Sequence, residues 1–132
     1  MERVPASHIK HIRVDPDSDS KSVRVVTGLA NRQKNQWLRF SVWDGDSYLV
    51  TEENREDTMG TLNIQDPLLW SPDHPHLYDL KVQLMEKEDT LDEVTSYFGM
   101  RKVEIRQDSN GINRIFLNDE ALFNFGPLDQ GW

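Results

Sequence analysis

Short segments in which hydrophobic and polar residues alternate dominate this chain. Between positions 37 and 43, the hydrophobic residues Leu38, Phe40 and Val42 alternate with polar ones. Such a period of two places one set of side chains on each face of a β-strand. No segment keeps the i, i+3, i+4 spacing of a helix beyond about one turn. The chain is therefore predicted to be all-β.

Clusters of turn-forming residues separate these segments at short intervals. The predicted strands are 8–14, 22–30, 37–43, 48–51, 59–64, 77–86 and 93–105. About seven short strands with such turn signals are typical of an antiparallel β-sandwich of the immunoglobulin-like type. The 132 residues are enough for one domain with a hydrophobic core of its own.

The last of these segments changes parity in its middle. Val94, Ser96 and Phe98 have one parity, Val103 and Ile105 have the other, and Gly99 lies between them. An extra residue in a strand reverses the side chains that follow it, so a β-bulge with a positive φ is predicted at Gly99. A strand that is buried on both faces is the alternative.

A separate hydrophobic unit follows the predicted sandwich. The segments 115–117 and 121–125 flank Asn118 and Asp119, which tolerate a positive φ, so a tight β-hairpin is predicted here. The predicted domains are a sandwich over 1–111 and, over 112–132, the hairpin and the start of a connection to a further domain. We expect the hairpin to be loosely attached to the sandwich, or to self-associate through 112–125.

Charge and composition exclude several classes of protein. The formal net charge is −8, with 15 Lys and Arg against 23 Asp and Glu, which disfavours nucleic acid and anionic membranes as partners. The chain contains no cysteine, so disulfides and thiolate metal sites are excluded. No hydrophobic run approaches the roughly 18 residues that a membrane-spanning helix needs.

The sequence contains few candidates for a metal site or for catalysis. Asp15, Asp17 and Asp19 have the opening spacing of a calcium loop, but Ser20 stands where the turn glycine is required. An ordinary acidic turn is therefore predicted. The four histidines fall into two pairs that nothing in the sequence brings together, so no metal site is predicted. No organic cofactor, catalytic serine setting or catalytic carboxylate pair is indicated either.

Two tryptophans are candidates for a carbohydrate-binding platform. Trp37 and Trp43 have the parity opposite to Leu38 and Phe40, so they are predicted on the outer face of the sandwich. Exposed aromatic rings there can form a carbohydrate-binding platform. A position at the sheet edge or in a contact between domains is favoured.

Four motifs occur in order along the chain: VPASHI at 4–9, WSPDHPHLY at 70–78, FGMRKVEI at 98–105 and IFLNDEALF at 115–123. Two prolines in the second motif remove backbone donors, so this segment is a stiff lead-in to a strand. Together the motifs resemble the immunoglobulin-like domain of the family 2 glycoside hydrolases, the β-galactosidase group. The resemblance covers nearly the whole chain.

The resemblance implies a structural role without catalysis for the chain itself. In that family both catalytic glutamates lie later, on a (β/α)₈ barrel, and the sandwich lies between that barrel and an N-terminal jelly-roll domain. Those two domains are the implied partners. The chain departs from the family pattern where an R-G-x-N-x-H motif is usual, since FGPLDQGW stands at 125–132. Asp129 and Gln130 occupy that stretch and are candidates to line a sugar pocket in the intact enzyme.

A free-standing binding module is the second function that the sequence allows. Sandwich folds host many functions, so a free-standing immunoglobulin-like module that binds carbohydrate or protein is the alternative.

Overall fold

The structure, a computed structural model, describes residues 6–123 and 126. Within these residues the chain forms ten β-strands: β1 (His8–Asp17), β2 (Ser22–Ala30), β3 (Gln36–Asp44), β4 (Ser47–Asn54), β5 (Met59–Asn63), β6 (Tyr78–Glu86), β7 (Asp89–Phe98), β8 (Val103–Gln107), β9 (Asn113–Leu117) and β10 (Glu120–Ala121). The all-β prediction is confirmed. No helix in the described part of the chain is long and hydrophobic enough to span a membrane.

The first seven strands form an immunoglobulin-like sandwich of two antiparallel sheets. One sheet has the order β1-β2-β5, and the other has the order β4-β3-β6-β7. The alternating side chains predicted to point inward do so, and Leu38, Phe40 and Val42 are fully buried. Six of the seven predicted strands agree with the observed ones to within about three residues at each end.

Hydrophobic side chains from both sheets meet in a single core. The fully buried members include Val23 and Val25 of β2, Leu62 of β5, Phe40 of β3, and Leu80, Val82 and Leu84 of β6. Burying each such side chain contributes roughly 1.5–3 kcal/mol. Gly60 of β5 makes room for the largest of them, because a Cβ at Gly60 would lie 2.6 Å from the Phe40 ring.

The seventh predicted strand is two strands in different sheets. β7 begins at Asp89, after a two-residue turn in which Lys87 has a φ of 53°, and it ends at Phe98. Gly99 lies beyond that end and does not have a positive φ. The predicted bulge at Gly99 is therefore wrong, and so is the single doubly buried strand. The parity changes because the chain leaves one sheet and enters another.

A third sheet, which we call the C-terminal sheet, has the order β10-β9-β8. Its β9–β10 turn confirms the predicted hairpin, since Asn118 and Asp119 have φ values of 52° and 69°. β8 pairs along its whole length with β9 and so belongs with the hairpin rather than with the sandwich. The division of the chain into domains 1–111 and 112–132 stays a prediction.

Candidate interdomain surface

The lead-in to β6 lies beside the connection between the sandwich and the C-terminal sheet. The Trp70 amide donates a hydrogen bond of 2.8 Å to the Met100 carbonyl, and Leu69 forms a parallel β-bridge with Met100. Two backbone hydrogen bonds between Ser71 and His74, 3.0 and 3.1 Å long, close the proline-containing turn that follows. Met100 is fully buried. The stiff lead-in predicted from the prolines therefore fixes the start of the connecting segment 99–102.

The Trp70 side chain packs closely against this connection. A Cβ at Gly99 would lie 3.1 Å from the Trp70 Cβ, and the Arg101 guanidinium carbon lies 5.0 Å from the Trp70 ring centroid. An arginine at this distance is attracted to the negative face of the ring. A groove of about 490 Å³ opens beside these residues and is lined by Pro16, Trp70, Leu77, Tyr97, Phe98, Gly99 and Arg101.

Asn118 links the C-terminal sheet to both the lead-in and the connection. Its Nδ2 donates a hydrogen bond of 2.9 Å to the Trp70 carbonyl, and its Oδ1 accepts one of 3.1 Å from the Lys102 amide. The Asn118 amide in turn donates one of 2.9 Å to the Lys102 carbonyl. Asparagine combines tolerance of a positive φ with an amide that both donates and accepts. Sequence reasoning identified Asn118 as a turn residue only.

Lys102 adds a contact to the turn between β1 and β2. Its Nζ lies 3.0 Å from Asp19 Oδ2, and the hydrogen bond to Asp19 is the main cause that raises the pKa of Lys102. The ion pair is exposed, so its contribution to stability is small. Together with the Asn118 hydrogen bonds, this contact attaches the C-terminal sheet to the sandwich at a few polar groups, and how tightly the hairpin is held stays a prediction.

The two faces of the C-terminal sheet differ in chemistry. One face carries charged groups around Phe116, and the Arg106 guanidinium carbon lies 3.9 Å from that ring's centroid. On the other face, Val103 pairs with Leu117 and Ile105 pairs with Ile115. Leu117 is buried, but the exposed fractions of Val103, Ile105 and Ile115 are 60%, 74% and 37%. We call these three side chains the apolar face.

Asp108 holds the turn between β8 and β9. Its Oδ1 accepts hydrogen bonds from the amides of Asn110 and Ile112, at 2.8 and 3.0 Å, and its Oδ2 accepts one from Arg114 Nε. The hydrogen bond from Arg114, followed by the one from the Ile112 amide, lowers the pKa of Asp108 from its ordinary value of 3.8.

The sequence-based candidates for a metal site have partners of their own. Asp15 pairs with Arg13 at 2.8 Å, Asp17 accepts the amides of Asp19 and Ser20, and Asp19 pairs with Lys102. The three carboxylates are therefore part of an acidic turn with separate contacts. Across residues 6–123 and 126, no group of three or more His, Asp and Glu side chains is arranged to hold a metal ion.

The two outer tryptophans have different surroundings. Trp37 is buried on the outer face, because the guanidinium carbons of Arg39 and Arg55 lie 5.0 and 4.5 Å from its ring centroid. The two arginines cover the Trp37 ring, which is therefore not exposed. Trp43 is half-buried and packs edge to face on Tyr48, with their centroids 5.3 Å apart.

Asp129 and Gln130, the candidate sugar-pocket residues, lie outside the described residues, and so does Phe125.

The surface that sequence reasoning missed is the junction of Trp70, Lys102 and Asn118. Because Trp70 and Asn118 are 48 residues apart, no local pattern reports their contact.

Comparison with known proteins identifies the family. The sequence profile described as Glycosyl hydrolases family 2 matches residues 7–101. The beta-galactosidase of Thermoanaerobacter pseudethanolicus is 35% identical over 126 residues, which cover 88% of this chain and 16% of the relative. The beta-galactosidase large subunit of Leuconostoc lactis is 32% identical over 97% of this chain and 21% of the relative. The chain thus spans about a fifth or less of the length of these relatives.

Solved structures agree on the fold. The crystal structure of Ruminococcus gnavus beta-glucuronidase matches 92% of this chain and 20% of its own length, with a TM-score of 0.75 and 20% identity. At that identity the likeness concerns the fold alone. The family profile covers well over half of the chain, and the chain therefore belongs to glycosyl hydrolases family 2.

Proposed function

We propose that this chain is a non-catalytic structural domain of a larger glycoside hydrolase. In that protein the sandwich lies between an N-terminal jelly-roll domain and a catalytic (β/α)₈ barrel. Hydrolysis of a glycosidic bond requires two carboxylates held about 5–5.5 Å apart for retention of configuration, or farther apart for inversion. The barrel supplies both of them, and the present chain supplies a rigid support.

The exposed apolar face of the C-terminal sheet is the observation that carries this proposal. Val103, Ile105 and Ile115 are branched hydrophobic residues in regular strands, and they are exposed on one side of a sheet whose other side is charged. A contiguous exposed hydrophobic surface of this kind typically marks a contact with another protein surface. The barrel of the same polypeptide is the occupant that the family membership favours.

Ile105→Asp tests this proposal, because its effect depends on what covers the apolar face. In the 132-residue chain, at a concentration at which it is monomeric, Ile105 is largely exposed, so the change should alter the free energy of unfolding by no more than about 0.5 kcal/mol. In the longer protein the same change should cost about 1.5–3 kcal/mol, since a buried isoleucine is lost. Chemical denaturation of both proteins, with and without the substitution, gives the comparison.

Leu49→Asp is the matched control. Leu49 is a partly exposed hydrophobic residue on β4, in the sandwich and away from the C-terminal sheet. Its substitution should have the same effect in the short and the long protein. An equal effect of Ile105→Asp in both proteins would count against the proposed contact and in favour of a free-standing module.

Asp129 and Gln130 belong to the same proposal. We expect them to line the sugar pocket of the longer enzyme, next to groups that the barrel supplies. Gln130→Ala should then lower kcat/KM for an aryl glycoside in the longer protein and leave its unfolding transition unchanged. Unchanged kinetics would remove Gln130 from the pocket without affecting the structural role of the sandwich.

A further inference from the structure

Three contacts link the C-terminal sheet, or the connection 99–102 that leads into it, to the sandwich and its lead-in. They are the hydrogen bond from Asn118 Nδ2 to the Trp70 carbonyl, the ion pair of Lys102 with Asp19, and the bridge between Leu69 and Met100. Two of them start from neighbouring residues of the lead-in, Leu69 and Trp70, and the third starts from Asp19 in the β1–β2 turn. Contacts at separated points restrict rotation as well as translation, so the sheet has a defined angle to the sandwich.

Asn118 makes the one of these contacts that comes from the C-terminal sheet itself. Its side chain reaches the lead-in through Trp70 and the connection through Lys102, and its backbone forms the first position of the β9–β10 turn. The connection 99–102 is only four residues long, and Arg101 and Gly99 within it pack against Trp70. Loss of the Asn118 side chain would therefore leave the lead-in without a direct hydrogen bond to the C-terminal sheet.

We infer that Asn118 is a positioning residue, which sets the orientation of the C-terminal sheet, and of any domain seated on its apolar face, relative to the sandwich. The residue acts through the Trp70 carbonyl and the Lys102 amide, and it need not touch a substrate. The importance of this orientation for an enzyme rests on the proposed function. The orientation itself is a property of this chain and is measured on it alone, so the two ideas can fail separately.

The chain contains no cysteine, so pairs of spin labels can be introduced without a background. Glu88→Cys labels the exposed β6–β7 turn of the sandwich, and Ser109→Cys labels the exposed β8–β9 turn of the C-terminal sheet. Pulsed electron–electron double resonance then gives the distribution of distances between the two spin labels. With Asn118 present, and with the labelled chain diluted in excess unlabelled chain so that distances between molecules do not contribute, we expect a single narrow distribution.

Two substitutions of Asn118 disrupt its side-chain hydrogen bonds in different ways. Asn118→Gly keeps the positive φ of the turn but loses both side-chain hydrogen bonds. Asn118→Asp keeps an acceptor for the Lys102 amide but places an oxygen against the Trp70 carbonyl. Both should broaden or shift the distance distribution. In Asn118→Gly the Lys102 amide loses its acceptor, Asn118 Oδ1, so hydrogen exchange at this amide should become about tenfold faster.

Asn31→Gly provides a matched control. Asn31 also has a positive φ, of 51°, and its Nδ2 also donates to a backbone carbonyl, that of Ala6 at 2.9 Å. That bond lies within the sandwich, so its loss should lower the stability of the sandwich and leave the distance distribution narrow. A narrow, unshifted distribution in both Asn118 variants would overturn the inference. Loss of the whole sandwich fold in both variants would also overturn it, because Asn118 would then support the core rather than the orientation.

Discussion

The side chain of Trp70 lies against Gly99, so that a Cβ on the glycine would be 3.1 Å from the Trp70 Cβ and 3.2 Å from its Cγ. Glycine is present here because the ring approaches closely, and the backbone at Gly99 does not have a positive φ. This contact holds the indole beside the segment through which the chain passes from the sandwich to the C-terminal sheet.

The destabilisation caused by replacing a glycine with alanine should depend on the space available for the new Cβ. At Gly60, a new Cβ would lie 2.6–2.9 Å from three atoms of the Phe40 ring, which is fully buried and cannot move aside. Gly60→Ala should therefore destabilise the chain by about 1–3 kcal/mol, as overpacking does.

Gly99→Ala should cost less. Trp70 is half-buried beside an open groove and can shift, and the loss of backbone freedom in the unfolded chain offsets part of the strain by about 0.4–1 kcal/mol. Urea denaturation of both variants gives the comparison. If Gly99→Ala proves the more damaging of the two, Trp70 is held far more rigidly than the contact distances indicate.

The turn between β8 and β9 should weaken in acid. The pKa of Asp108 is lowered in the folded chain, chiefly by Arg114, so the folded form binds fewer protons than the unfolded one just below the ordinary value of 3.8. The stabilisation is complete above that value and is lost as the pH falls through the lower, folded pKa. We expect amide exchange at Ile112, corrected for its intrinsic pH dependence, to accelerate over that range.

Asp108→Asn is the control for this prediction. The amide can still accept from the Asn110 and Ile112 amides but does not titrate in this range. Exchange at Ile112 in this variant should lose its acid dependence. A persistent acid dependence would mean that another carboxylate controls the turn.

The apolar face should make the isolated chain self-associate. Ile105 is 74% exposed and Phe123 is 84% exposed, and self-association through 112–125 is one of the two alternatives that the sequence predicts for the hairpin. Sedimentation should reveal a concentration-dependent dimer that weakens when Ile105 and Phe123 are both changed to serine. Tyr97→Ser serves as the control, because Tyr97 is similarly exposed on β7 of the sandwich.

Local sequence patterns predicted the sandwich well because its strands have one buried face. The alternation of Leu38, Phe40 and Val42 matches their burial, and the positive φ of Asn118 and Asp119 follows from their tolerance of that conformation. Periodicity does not report which strand pairs with which. The segment 93–105 therefore looked like one bulged strand, although β8 pairs with β9 in another sheet.

The contacts that build the candidate interdomain surface could not be predicted from the sequence to the same extent. The motif around Trp70 indicated a stiff lead-in, but its contact with Asn118 joins residues 48 positions apart. Trp37 was expected on an outer face, and it does lie there. Its burial depends on Arg39 and Arg55, which come from two different segments of the chain. Such contacts are set by the tertiary fold rather than by local spacing.

Hydrolysis of an aryl β-glycoside tests the central claim most directly. The assay compares the purified 132-residue chain with the longer polypeptide that contains it. We predict turnover by the longer protein and a rate indistinguishable from background for the chain alone. Measurable turnover by the chain alone, abolished by replacing any one of its own Asp or Glu residues with the corresponding amide, would contradict the assignment as a non-catalytic structural domain.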